Sequence, residues 1–134
     1  MEREVRYCTT EDGVRIAYSV EGDGPVLVMC PFFVESFSLD HLLPERTKFM
    51  EKLGEGRRVV RYDSRGTGLS ARDLARLGPD DPLLDLASVA QAIGGPPFAL
   101  WASGPGGPTA IRFAAMSPER VGVPPPLWYV GPHP

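Results

Sequence analysis

Histidine and cysteine are scarce here, two of each among 134 residues, and that scarcity narrows the chemistry at the outset. Cys8 and Cys30 sit in separate apolar runs, with neither a Cys-x-x-Cys spacing nor companion histidines, so no metal site is expected and both read as buried free thiols. No apolar run approaches the roughly 18 residues of a membrane span. The opening Met-Glu-Arg-Glu-Val-Arg has no apolar leader core either, so the expectation is a cytoplasmic protein without a membrane partner. A basic stripe is also missing. With a net charge of −3 and both signs scattered along the chain, nucleic acid is not expected as a partner. No cofactor is expected. The length suits one domain with a core of moderate size.

Glycine and proline are abundant instead, 15 of each, well above average use, so turns must be many. Val5 to Thr9 and Val14 to Val20 alternate around Thr-Glu-Asp-Gly, which predicts an antiparallel hairpin. Val26 to Cys30 is a continuous apolar run, the pattern of a strand buried on both faces of a parallel sheet. Leu42 to Leu53 predicts a short amphipathic helix with Pro44 in its first turn, where a missing N–H does no harm. A second buried strand is expected over Arg57 to Tyr62 and a helix over Pro82 to Ile93, stopped by Gly94-Gly95-Pro96-Pro97. After Val121 the composition turns to proline. The expected division is 1–121 as the folded part and 122–134 as a Pro-rich tail, with one short strand at Leu127 to Val130.

The stretch from Phe98 to Val121 organises the rest. An apolar run ending in small residues passes directly into a helix that starts at Pro105 or Gly106 and stops at Ser117-Pro118, the pattern of strand, very tight turn and helix. Such a turn needs small residues two positions before and two after its apex. Ala102 and Gly106 meet that spacing around Gly104.

These residues resemble the α/β-hydrolase family. Tyr62-Asp63-Ser64-Arg65-Gly66-Thr67-Gly68-Leu69-Ser70 is similar to the Asp-x-Arg-Gly-x-Gly-x-Ser turn after that family's fourth strand. Phe98 to Arg120, with Gly106-Gly107 and Ser117-Pro118-Glu119-Arg120-Val121, is similar to its fifth strand, nucleophile elbow and following helix. The likeness is greatest to the branch found attached to bacterial adenylate cyclases and transcriptional regulators. It implies an α/β fold: a mostly parallel sheet with an antiparallel N-terminal hairpin, here truncated to five or six strands. It also implies serine-type hydrolysis of a small ester or amide through an acyl-enzyme intermediate.

The departures bear on the chemistry. In the family the apex residue attacks the substrate, and glycine has nothing to attack with. The next backbone N–H normally donates to the oxyanion, and Pro105 has none; losing one such donor typically costs about 100- to 1,000-fold in turnover. Reading Ser103 as the nucleophile instead makes Gly104 the donor, but places Trp101 and Pro105 at the small positions. The family's acid and base follow later strands, and here only Glu119 and the proline-flanked His133 come after the elbow. His41, in the loop region after the third strand, stands as a further site candidate, and Phe32 and Phe33 as oxyanion-loop or pocket residues. Asp63 and Arg65 are expected to be structural, and Trp101 to belong to the core.

Two classes stay open at this point. One is a hydrolase that attacks through Ser103 and is completed by a partner chain or another segment. The other is a catalytically incompetent protein that binds a small apolar ligand or ester, or a protein. A half-fold also predicts self-association through an exposed sheet edge at the elbow strand or its neighbour.

Overall fold

The computed structural model describes residues 3–31 and 35–122. Five strands form one sheet, β1 (Glu4–Thr9), β2 (Arg15–Glu21), β3 (Val26–Cys30), β4 (Arg58–Tyr62) and β5 (Ala99–Ala102), in the order β1-β2-β4-β3-β5. The Thr-Glu-Asp-Gly signal closes the first hairpin: Thr10 N–H donates to the Val14 carbonyl at 2.8 Å, and Gly13 takes the left-handed backbone the turn needs, with φ 86°. β1 and β2 are antiparallel from Glu4↔Val20 to Thr9↔Arg15, and β2 runs antiparallel to β4. β3 lies parallel to both β4 and β5. Two antiparallel and two parallel pairings make the sheet mixed, and the antiparallel N-terminal hairpin leading into parallel strands is the arrangement expected from the sequence.

Among the described residues, three α-helices cover the sheet: α1 (Pro44–Leu53), α2 (Asp81–Ile93) and α3 (Gly107–Met116). Alternation along the central strands sends Val28, Cys30, Val60, Leu100 and Ala102 into a core shared with Leu86, Val89 and Ala90 of α2 and Ala110 and Phe113 of α3. Leu27, Met29, Ala99 and Trp101 point the other way and meet Met50 of α1. Both faces are buried, which is why β3 and β5 read as continuous apolar runs. Burying a side chain such as Leu100 this completely contributes about 1.5–3 kcal/mol.

Two stretches read as loop or as α-helix are tighter than expected. Residues Phe37–Leu42 form a 3₁₀ helix rather than loop, because Ser36 caps its N-terminus by accepting from the Ser38 N–H. The first turn after β5, Gly104–Gly106, is also 3₁₀, so α3 proper begins at Gly107. Among the described residues, no helix is long and apolar enough to cross a membrane. The candidate strand at 127–130 lies outside the described residues.

Candidate functional site

β3, β4 and β5 end at Cys30, Tyr62 and Ala102, so the segments that follow them meet at one end of the sheet. After β4 comes the turn 63–70. Asp63 is fully buried and accepts from the Ser36 hydroxyl (2.8 Å), the Phe37 N–H (3.1 Å) and the Leu69 N–H (2.9 Å). Ser70 donates back to the Asp63 carbonyl at 2.6 Å. One carboxylate thus fixes the segment after β3 to the turn after β4. Burial pushes its pKa up, opposed by the Leu69, Ser36 and Phe37 donors.

Arg65 does not pair with Asp63. Its Nε donates to Asp85 of α2 at 2.9 Å, its two terminal nitrogens fork onto Asp12 at 2.6 and 3.0 Å, and Asp81 lies 3.3 Å away. The Asp85 carboxylate also accepts the Arg65 N–H at 2.9 Å. The hydrogen bonds that it donates to Asp12, above all, and then to Asp85 hold the guanidinium firmly protonated. Both residues are structural, as expected, but through different partners. Sequence reasoning missed Asp85 and Asp12. The signal was available for Asp85, since a carboxylate beside Leu86 and Val89 on the apolar face of a helix needs a buried cation.

After β5, Ser103 continues the extended backbone (φ −136°, ψ 152°) and is only 2% exposed. Gly104 then turns sharply with φ +51°, and a Cβ placed there meets nothing within 4 Å. A Cβ on Gly106 stands 3.1 Å from the carbonyl oxygens of both Cys30 and Pro31. Of the two, position 106 is crowded by backbone and position 104 opens outward, at a sharp turn from strand to helix. Ser103, one residue earlier, belongs to the buried end of the strand.

The elbow is poor in donors. Pro105 and Pro108 have no N–H, the Gly106 N–H donates to the Ser103 carbonyl at 3.1 Å, and the Gly107 N–H is bound to the Gly104 carbonyl. An oxyanion at this apex would find no N–H at position 105. Beside it lies a cleft of about 360 Å³ walled by Pro31, Thr67, Leu77, Asp81, Pro105 and Thr109. At the end of β3, burial pushes the Cys30 thiol up to about 12, so it is no thiolate.

Solved structures align with nearly the whole of this arrangement. An epoxide hydrolase from Vigna radiata matches with a TM-score of 0.72 at 19% identity, over 96% of this chain and 40% of its own. A hydrolase from Pseudomonas aeruginosa matches at 0.68 and 23% identity, over 88% of this chain and 43% of its own. The fold is that of the α/β-hydrolases. Cfl2 from Burkholderia cenocepacia matches at 0.68 and 29% identity, over 89% of this chain and 39% of its own. The chain spans less than half the length of these structures. No protein-family model and no curated protein matches the sequence.

Within this α/β-hydrolase fold, the remaining candidates are His41, Phe32, Phe33 and His133. His41 is exposed in the last turn of the 3₁₀ helix rather than in a loop, beside Asp40, whose carboxylate is engaged by Arg61 and Arg3. Phe32, Phe33 and His133 lie outside the described residues. Trp101 is buried against Phe49, ring centres 6.1 Å apart, a core residue as expected. Among the described residues, no group of three or more His, Cys, Asp or Glu is placed to hold a metal ion.

Proposed function

We propose that this chain has the α/β-hydrolase fold without its serine chemistry, and that its role is to bind rather than to hydrolyse. The observation that carries this reading is Gly104 at an apex with φ +51° and open space before it. A nucleophile held at such a turn bears backbone strain of about 1–3 kcal/mol, which glycine relieves. Pro105 removes a second element, the oxyanion donor. Whatever segment or partner supplied an acid and a base, they would find no side chain at the apex to activate. The cleft beside the elbow, with the carbon of Pro31, Leu77 and Pro105 on its walls, supports a small, largely apolar ligand.

Hydrolysis through Ser103 is the competing reading. Its burial and extended backbone oppose that role, since an elbow nucleophile must stand off the tip of the turn. The test is exposure of the full chain to a fluorophosphonate probe and a short-chain aryl ester, with Ser103→Ala alongside. The expected result is no labelling and no ester turnover that depends on Ser103. Labelling that disappears in Ser103→Ala overturns the proposal.

A further inference from the structure

The sequence contains Asp-Gly at two places, Asp12-Gly13 and Asp23-Gly24, and both are exposed. The first lies between β1 and β2 and the second between β2 and β3. An aspartate followed by glycine can close a five-membered imide, because glycine puts no side chain beside the nitrogen that approaches the carboxyl carbon. In a folded chain the closure needs two free groups, the carboxyl and the glycine N–H.

At Asp12 neither is free. The carboxylate accepts the Arg65 fork at 2.6 and 3.0 Å and the Thr10 hydroxyl at 2.5 Å, and the Gly13 N–H donates to the Thr10 carbonyl at 2.9 Å. Arg65, and then Thr10, also hold this carboxyl well below the usual carboxylate range, away from the neutral form that an attack on it needs. At Asp23 both groups are free. Among the described residues, no hydrogen bond or ion pair engages its carboxylate, and no hydrogen bond engages the Gly24 N–H. The glycine is also obligatory. Gly24 has φ 122°, and a Cβ there would collide with the Gly56 carbonyl oxygen, which is backbone and cannot swing away. The fold therefore demands, directly after Asp23, the one residue that leaves ring closure unhindered.

We propose that Asp23-Gly24 is a self-modification site, at which the folded chain converts aspartate to isoaspartate through an imide. The Gly24 nitrogen bonds to the side-chain carboxyl carbon of Asp23, and its proton leaves with the carboxyl hydroxyl as water. A second water then opens the ring. Opening at the main-chain carbonyl leaves Gly24 joined through the side chain, which is isoaspartate, and opening at the side-chain carbonyl returns aspartate. One water is lost and one gained, and no oxidant, reductant or cofactor enters. The product lengthens the connection between β2 and β3 by one carbon, beside the Gly56 backbone. This inference is independent of the catalytic reading.

The experiment incubates the full chain at neutral pH in water enriched in heavy oxygen, once folded and once in denaturant, and digests it with trypsin in ordinary water. Cleavage after Arg15 puts the two aspartates in different peptides, and each passage through the imide leaves one heavy oxygen at the site, located by fragmentation. In the folded chain, Asp23 is expected to take up label at least about tenfold faster than Asp12, since releasing Asp12 breaks at least one hydrogen bond to a charged group. In denaturant the two sites take it up at comparable rates. Asp23→Glu, an exposed change whose imide needs a six-membered ring, loses the uptake at position 23. No uptake at Asp23 in the folded chain overturns the proposal, as does equal uptake at both sites. A preference for Asp23 that persists in denaturant overturns it too, because the fold is then not its cause. Uptake at position 23 that survives Asp23→Glu overturns the imide route.

Discussion

Gly68→Ala will destabilise the chain far more than Gly13→Ala, although both glycines have left-handed backbone, φ 55° and 86°. At Gly13 a Cβ meets nothing within 4 Å, so the cost is the left-handed penalty alone, about 1–2 kcal/mol. At Gly68 the new methyl collides with the Asp63 carboxylate and the Ser36 hydroxyl. Relief requires moving the carboxylate that holds Ser36, Phe37 and Leu69, and each hydrogen bond to a charged group is worth about 1.5–3 kcal/mol. Losing one to two of the three puts the difference between the variants near 3 kcal/mol. The gain from restricting the unfolded chain, about 0.4–1 kcal/mol, is common to both and cancels. Urea unfolding with a slope of about 1–3 kcal/mol/M then places the Gly68→Ala midpoint roughly 1–3 M below that of Gly13→Ala. Equal midpoints at equal slope would show that Asp63 does not tie the two segments together.

Replacing Arg65 by Met strands the buried Asp85 carboxylate and should cost about 3–5 kcal/mol in denaturant unfolding, with Lys recovering little because it lacks the fork that reaches Asp85 and Asp12 together; a loss under about 1 kcal/mol refutes this. For Asp40, burial raises the pKa, but hydrogen bonds and charge from Arg61, then Arg3, bring it below the usual carboxylate value overall. A depressed carboxylate contributes stability that is present above its unfolded value and lost as pH falls through its folded one. The stability gap between the unaltered chain and Asp40→Asn should therefore close below roughly pH 4, and a gap independent of pH contradicts it.

Much of the fold was legible because its signals are local. The hairpin came from Thr-Glu-Asp-Gly between alternating runs, β3 from an unbroken apolar stretch, and α2 from its spacing and the Gly-Gly-Pro-Pro stop. What was not legible depended on distant partners. The 3₁₀ helix over Phe37–Leu42 follows from Ser36 capping and from Asp63, 26 residues away from Phe37, accepting its N–H. The Arg65 cluster joins residues separated by 20 and 53 positions, a distance no spacing rule spans. At the elbow the small residues at 102 and 106 marked the turn from sequence. They also pointed to Gly104 as its tip, whereas the backbone angles and the space around Ser103 and Gly104 came only from the structure.

That assignment is most directly tested by thiol accessibility. In a Cys8→Ser background, with Cys30 buried, Ser103→Cys and Gly104→Cys are compared for reaction with a maleimide under native conditions and in denaturant. With residue 104 at the open apex and residue 103 buried, the Gly104→Cys thiol reacts rapidly in the folded protein, while Ser103→Cys reacts only when unfolded. Rapid native labelling at 103 together with protection at 104 would place the serine at the tip of the turn and contradict the loss of chemistry argued for this elbow.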